Sequence, residues 1–184
     1  MAKMTSNQLI DDLLVTTKNS TQAVQKLKQF ELLKLSERNA PNEWSILECI
    51  EHLNLYGSFY LPAIEKAILS QKTIHNSCVF KSGILGNYFV NLVKLKQAKI
   101  KKMSTAKTMD PFEKQLTITT IDRFLKQQER LKSLLEQARY VDITKAKTPI
   151  SISRFIKLRL GDILRFMVYH IERHVAQANK IHSN

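Results

Sequence analysis

The sequence predicts an all-α fold, an up-down bundle of four or five long helices joined by connections of about ten residues. Three observations lead there. The 184 residues include only four Gly and four Pro, too few turn formers for an all-β chain. Apolar residues recur at gaps of three and four along most of the sequence, the period of a helix with one buried face. With 43% hydrophobic residues the chain can fill one core, so 1–184 reads as a single domain.

The elements follow in order. Between about residues 6 and 35, Leu9, Leu13, Thr16, Val24, Leu27, Phe30 and Leu33 form one stripe. The polar, β-branched stretch Thr16–Thr21 is the expected place for a bend. Ser36–Glu43, carrying Asn39-Ala40-Pro41-Asn42, reads as a loop. A second helix spans about 44–70, led in by Asn42 or Glu43, with Trp44 in its first turn. Its stripe is Ile46, Ile50, Leu53, Tyr60, Ile64 and Ala67, and Pro62 predicts a kink or break near residue 60.

Residues 71–82 form a polar connection, followed by a helix containing Ile84–Met103 with a lysine-rich face. Ser104–Pro111 reads as a loop, with Asp110-Pro111 as a turn or helix start. Ile118, Ile121, Leu125, Leu131, Leu134 and Leu135 then define a helix over 117–139. Residues 140–157 read mostly as connection. The last helix, about 158–182, places Leu160, Ile163, Met167, Ile171 and Ala178 on one face.

Charge is uneven. The chain carries 29 Lys/Arg against 16 Asp/Glu, a net +13. Residues 1–70 hold seven basic against eight acidic side chains (−1), leaving twenty-two against eight (+14) in 71–184. The windows 94–107 and 145–159 hold six lysines and five basic residues respectively, without an acid. Such a field draws anions, whether nucleic acid, an anionic surface or a small substrate. Lysines outnumber arginines, aromatics do not interleave with the basic runs and no nucleic-acid motif occurs, which argues against nucleic acid. Cys49 and Cys78 are too few for a disulfide scaffold and lack zinc-finger spacing. There is no apolar run of about 18 residues and no signal-peptide pattern, so a cytoplasmic protein outside the membrane is expected.

Histidine placement carries the chemistry. His170 and His174 are i, i+4 on the last helix, about 40° apart around its axis and roughly 6 Å apart along it. Both fall inside the apolar arc, so two imidazoles face the bundle interior. Buried polar groups need partners: either hydrogen bonds or a divalent metal with a third ligand from a neighbouring helix. His52, at the border of the second helix's stripe, is the candidate third ligand. Three imidazoles with open positions suit zinc or nickel best, and also manganese or iron. His75, in the polar connection, and His182, near the end of the sequence, read as solvated.

At these residues the chain resembles the DinB-like superfamily, close to its DinB/YfiT-type members. Trp44-Ser45-Ile46-Leu47-Glu48-Cys49-Ile50-Glu51-His52-Leu53 is similar to the family's W-S-x-x-E-x-x-x-H-L entry to the second helix. Leu160–Phe166 and then His170-Ile171-Glu172-Arg173-His174-Val175-Ala176-Gln177 resemble its final-helix H-x-x-R-H-x-x-Q signature. The resemblance covers nearly the whole chain. It implies a four-helix bundle of up-down-down-up topology, here with an extra short helix or loop insertions, and a three-histidine metal site at His52, His170 and His174. It implies a homodimer, since dimers are frequent in the family. Characterised relatives include thiol S-transferases, a thiol-dependent isomerase and metal-dependent hydrolases. A metal-dependent transferase or hydrolase acting on a small, anionic thiol substrate and a non-catalytic metal-binding or stress protein both stay open at this point.

Other residues have narrower readings. Glu48, one turn before His52, is placed to orient an imidazole, to act as a base, or simply to favour the helix start. Gln177, one turn after His174, is placed to hydrogen-bond a neighbouring helix or its own surroundings, with an interhelix contact favoured over a substrate contact. Asp162 and Arg165 pair in the first turn of the last helix, Cys49 reads as a small buried hydrophobe and Trp44 as a core anchor.

Overall fold

The computed structural model describes residues 4–73, 79–95 and 105–182. His75, Cys78, most of the lysine-rich window 94–107 and the side chain of His182 lie outside the described residues. Among the described residues, six helices, a 3₁₀ turn and one hairpin run in the order α1 Ser6–Leu27, α2 Leu32–Ser36, α3 Ile46–Leu69, α4 Ile84–Val93, the turn Lys107–Met109, α5 Thr119–Ala138, β1 Lys147–Ile150, β2 Ser153–Arg159 and α6 Leu160–His182.

Four long helices make the bundle: α1, α3, α5 and α6. Helix α3 packs on α5 and α6, and α1 packs on the same two, so α1 stands diagonally across from α3. Ion pairs and rings set the directions. Glu51 pairs with Arg123 and Glu65 with Arg130, so α3 and α5 ascend together. Lys28–Asp122 and Asp11–Arg139 run α1 against α5. The contacts His52–His174, Tyr56–Phe166 and Tyr60–Phe166 run α3 against α6. The result is up-down-down-up. Because α3 and α5 are parallel, the chain between them must travel back the length of the bundle, and that return carries α4 and the 3₁₀ turn. The core joins all four helices through side chains such as Ile10, Leu13, Ile50, Ile64, Phe124, Leu131, Ile163 and Val168.

Local chemistry explains the boundaries. Thr5 caps α1 and forms a capping box with Gln8, and Ser45 does the same with Glu48 on α3. Trp44 therefore precedes α3 instead of sitting in its first turn. Helix α1 continues without interruption through Thr16–Thr21. Thr16, Thr17 and Thr21 return their hydroxyls to the carbonyls of Asp12, Leu13 and Thr17, so the polar run is satisfied inside the helix. The break comes instead after Leu27, and it turns the expected Leu33 outward (83% exposed) while Leu35 is buried. Helix α3 continues unbroken across Pro62.

Residues 140–157 hold more order than a connection. The strands β1 and β2 pair antiparallel with an irregularity between Pro149 and Ile150. Strand β2 runs directly into α6, whose first residues donate to the preceding loop, Leu160 N–H to Ala146 and Gly161 N–H to Ile143. Tyr60 ties the hairpin tip to α3, accepting from the Ser151 N–H at 3.1 Å. Asp162 is fully buried and accepts hydrogen bonds from the Ser82 hydroxyl and the Gly83 N–H, fastening the start of α4 to α6. Its pairing with Arg165, at 3.4 Å, is the looser contact. A Cβ at Gly86 would collide with the Asp162 carboxylate, so the close approach of the two helices requires glycine there.

Candidate metal centre

Two antiparallel helices build the centre. Helix α3 contributes His52 one turn beyond the capping box, and α6 contributes His170 and His174 one turn apart. The structure brings all three together: their ligand atoms lie within 4.8 Å of one another, forming a group able to hold a metal ion. His52 Nε2 and His170 Nε2 are 3.2 Å apart. Tetrahedral zinc with imidazole nitrogens at its ordinary bond length separates such atoms by about 3.3 Å.

Two of the three ring nitrogens turned away from the group are held by specific partners. His52 Nδ1 donates to the Met109 carbonyl in the 3₁₀ turn at 2.7 Å, which leaves its Nε2 with a lone pair. His174 Nδ1 donates to Gln177 Oε1 at 3.0 Å, with the same consequence. His170 Nδ1 is buried without a hydrogen-bond partner. A direct hydrogen bond between His52 and His170 therefore requires His170 Nε2 to carry the proton and strands a buried lone pair on Nδ1. A cation held by three Nε2 atoms removes the need for a proton between His52 Nε2 and His170 Nε2, and the proton of His170 then sits on Nδ1. The donor set fits a borderline-soft divalent ion.

Burial and neighbouring charge keep the rings neutral. Burial lowers His52 to about 4, against an upward pull from its bond to Met109 and from the charge of Asp110. His170 and His174 are held well below the ordinary value, first by burial and then by the other histidines and the charge of Arg173. Neutral imidazoles are the ligating form, so protons do not compete at neutral pH.

Aromatic rings pack around the group. Trp44 stands 4.7 Å from His52 and 5.8 Å from His174, ring centre to ring centre. Tyr56 lies 4.5 Å from His170, and Phe166 stacks on that ring at 5.4 Å. Trp44 is thus a wall of the site rather than a core anchor alone. All three histidines line a cavity of about 620 Å³, bounded also by Phe89 and Val93 of α4 and by Ser151 at the hairpin tip.

Glu48 is engaged elsewhere. Its carboxylate accepts from Arg38 at 2.5 and 2.9 Å, from the Ser45 N–H at 2.8 Å and from the Glu113 N–H at 2.8 Å. Burial pushes the carboxyl up, but Arg38 and the two backbone donors outweigh it and the net shift is downward. Of the three readings of Glu48 the helix-start role holds, enlarged to a junction joining the α2–α3 loop to the return connection. Cys49 is buried, and burial pushes its thiol up, away from the nucleophilic form. Gln177 contacts His174 on its own helix, not a neighbouring one. Sequence reasoning missed Met109, because a backbone carbonyl leaves no side-chain signature.

The bundle topology together with an inward-facing three-histidine group, drawn from the second and last long helices, defines a class of helical proteins able to bind metal in the core. A family model described as DinB superfamily matches residues 14–178, and the chain belongs to that superfamily. No curated protein and no solved structure matches the chain. Among the described residues no helix is long and apolar enough to cross a membrane.

Proposed function

We propose that His52, His170 and His174 hold one divalent metal ion, zinc or nickel ahead of manganese or iron, and that the protein is a metal-dependent enzyme acting on a small molecule in the adjoining cavity. The observation that carries this reading is the fixed tautomers. Met109 and Gln177 hold two rings with Nε2 free to ligate, and the third ring's Nε2 stands 3.2 Å from that of His52, close enough for one cation to take both lone pairs.

When bound, such an ion supplies Lewis acidity, lowering the pKa of a water or thiol that reaches it. The chain's own residues do the rest. Trp44, Tyr56 and Phe166 exclude water from the side of the rings they cover, and the 620 Å³ cavity is of the size that takes a small ligand. Within this reading thiol S-transfer is favoured over hydrolysis. Low-molecular-weight thiol cofactors carry carboxylates, which suits the +14 balance of residues 71–184. Catalysis is favoured over a structural metal because the group supplies three protein ligands among the described residues and opens on a cavity.

The first test is metal content by mass spectrometry of the untagged protein beside His52→Ala and His170→Ala. Close to one equivalent in the parent, lost from both variants, is expected. No metal after reconstitution with zinc, nickel or manganese would overturn the site. The metal-loaded protein is then assayed for consumption of a thiol with an electrophile, an activity that chelation removes. A fully loaded protein that neither binds nor consumes thiols would leave metal binding in place and reject thiol transfer.

A further inference from the structure

The cavity has a cationic wall that the metal chemistry does not use. Along α6, His170, Arg173, His174, Gln177 and Lys180 lie within three turns, and all five line the same cavity. Arg173 is only 6% exposed. Its charge reaches the triad, where it disfavours protonation of His170 and His174. The described lining residues include two cations, Arg173 and Lys180, and one carboxylate, Glu43. A guanidinium is a planar fork suited to a carboxylate or phosphoryl group, and burial strengthens that pairing. The rings of Trp44, Tyr56 and Phe166 line the same cavity and suit an apolar body.

We infer that the cavity takes a small organic acid, with its carboxylate held by Arg173 and Lys180 and its apolar part against Trp44, Tyr56 and Phe166. The inference rests on reading this cavity as the substrate site. It assigns Arg173 a binding role within the final-helix motif. The carboxylate at Arg173 and the reacting group at the histidines would then sit at two ends of one ligand, which fixes its orientation before any chemistry.

The test is calorimetric titration of zinc-loaded and chelator-treated protein with 3-phenylpropionate, its uncharged analogue 3-phenylpropan-1-ol, and inorganic phosphate. The acid is expected to bind at least about tenfold more tightly than the alcohol in both forms. Arg173→Gln removes that preference, leaving alcohol affinity and zinc content unchanged, while Arg173→Lys keeps part of it and Lys180→Ala weakens it. Equal affinity for acid and alcohol, or a preference that survives in a folded Arg173→Gln protein, overturns the inference. Phosphate binding more tightly than the acid overturns the carboxylate assignment in favour of a phosphoryl group. Should Arg173→Gln fail to fold, Lys180→Ala and Arg173→Lys decide, and an undiminished acid preference in both overturns the wall. Zinc content separates this inference from the previous one. Acid preference without zinc binding defeats only the metal centre, and zinc binding without acid preference defeats only the anion wall.

Discussion

His174 and Gln177 show how one hydrogen bond prepares a ligand. The Nδ1–H donated to Gln177 sets the tautomer, so the nitrogen turned to the other rings carries the lone pair. Gln177→Ala is therefore expected to weaken zinc binding by about ten- to a hundredfold while leaving the helix intact, measured by competition with a chromophoric chelator. Unchanged affinity would show that ring packing alone orients His174. The low pKa values of the buried rings carry a second consequence. In metal-free protein His52 titrates near 4 against an ordinary value of 6.5, so the unfolded chain takes up a proton first as pH falls. Stability is then full above about pH 6.5 and declines toward pH 4, by about 3 kcal/mol from His52 alone. Urea melts of chelated protein at pH 7 and pH 4.5 measure it, and equal midpoints would contradict the assignment.

At the scale of elements, the start of α3 does double duty. The Ser45–Glu48 capping box ends the loop and sets the phase from which His52 follows one turn later. Ser45→Ala removes one cap and is expected to cost about 1 kcal/mol. Glu48→Ala removes the partner of Arg38 and of two backbone donors together, and about 2–3 kcal/mol is the expected loss. A smaller effect for Glu48→Ala than for Ser45→Ala, in denaturant melts of both, would mean that the junction relaxes around the missing carboxylate. The hairpin sets α6 in the same way. Because β2 leads straight into Leu160 and Tyr60 holds the tip, the height of His170 against His52 is fixed from outside the helix.

For the whole molecule, the metal and the fold are coupled. The ligands come from α3 and α6 and are supported by Met109 in the return connection, so unfolding any of these segments dismantles the group. An ion that binds only the native state, at a free concentration a thousandfold above its dissociation constant, adds about 4 kcal/mol. Chelation is accordingly expected to lower the melting temperature by several degrees, and His52→Ala should abolish that response. An unaltered melting temperature in the parent on chelation would uncouple the site from stability.

Much of this is legible in order along the chain. Helical periodicity marks three of the four long helices within a few residues and overruns the end of α1 by about eight, and the i, i+4 spacing of His170 and His174 within an apolar arc turns both toward the interior. Residue propensities alone misplace some details. The threonine run stays helical because its hydroxyls find carbonyls within the helix, α3 runs on through Pro62, and 147–159 pairs as a hairpin where the sequence reads mostly as connection. The sequence by itself determined the helix faces and the residues able to ligate, since both follow from periodicity and side-chain chemistry. Only the tertiary structure decided that Glu48 is spent on Arg38, that Met109 and Gln177 set the tautomers, and that Arg173 shares a cavity with the triad. Those relations join residues distant in the chain or depend on the rotamers that packing selects, and neither is encoded in spacing.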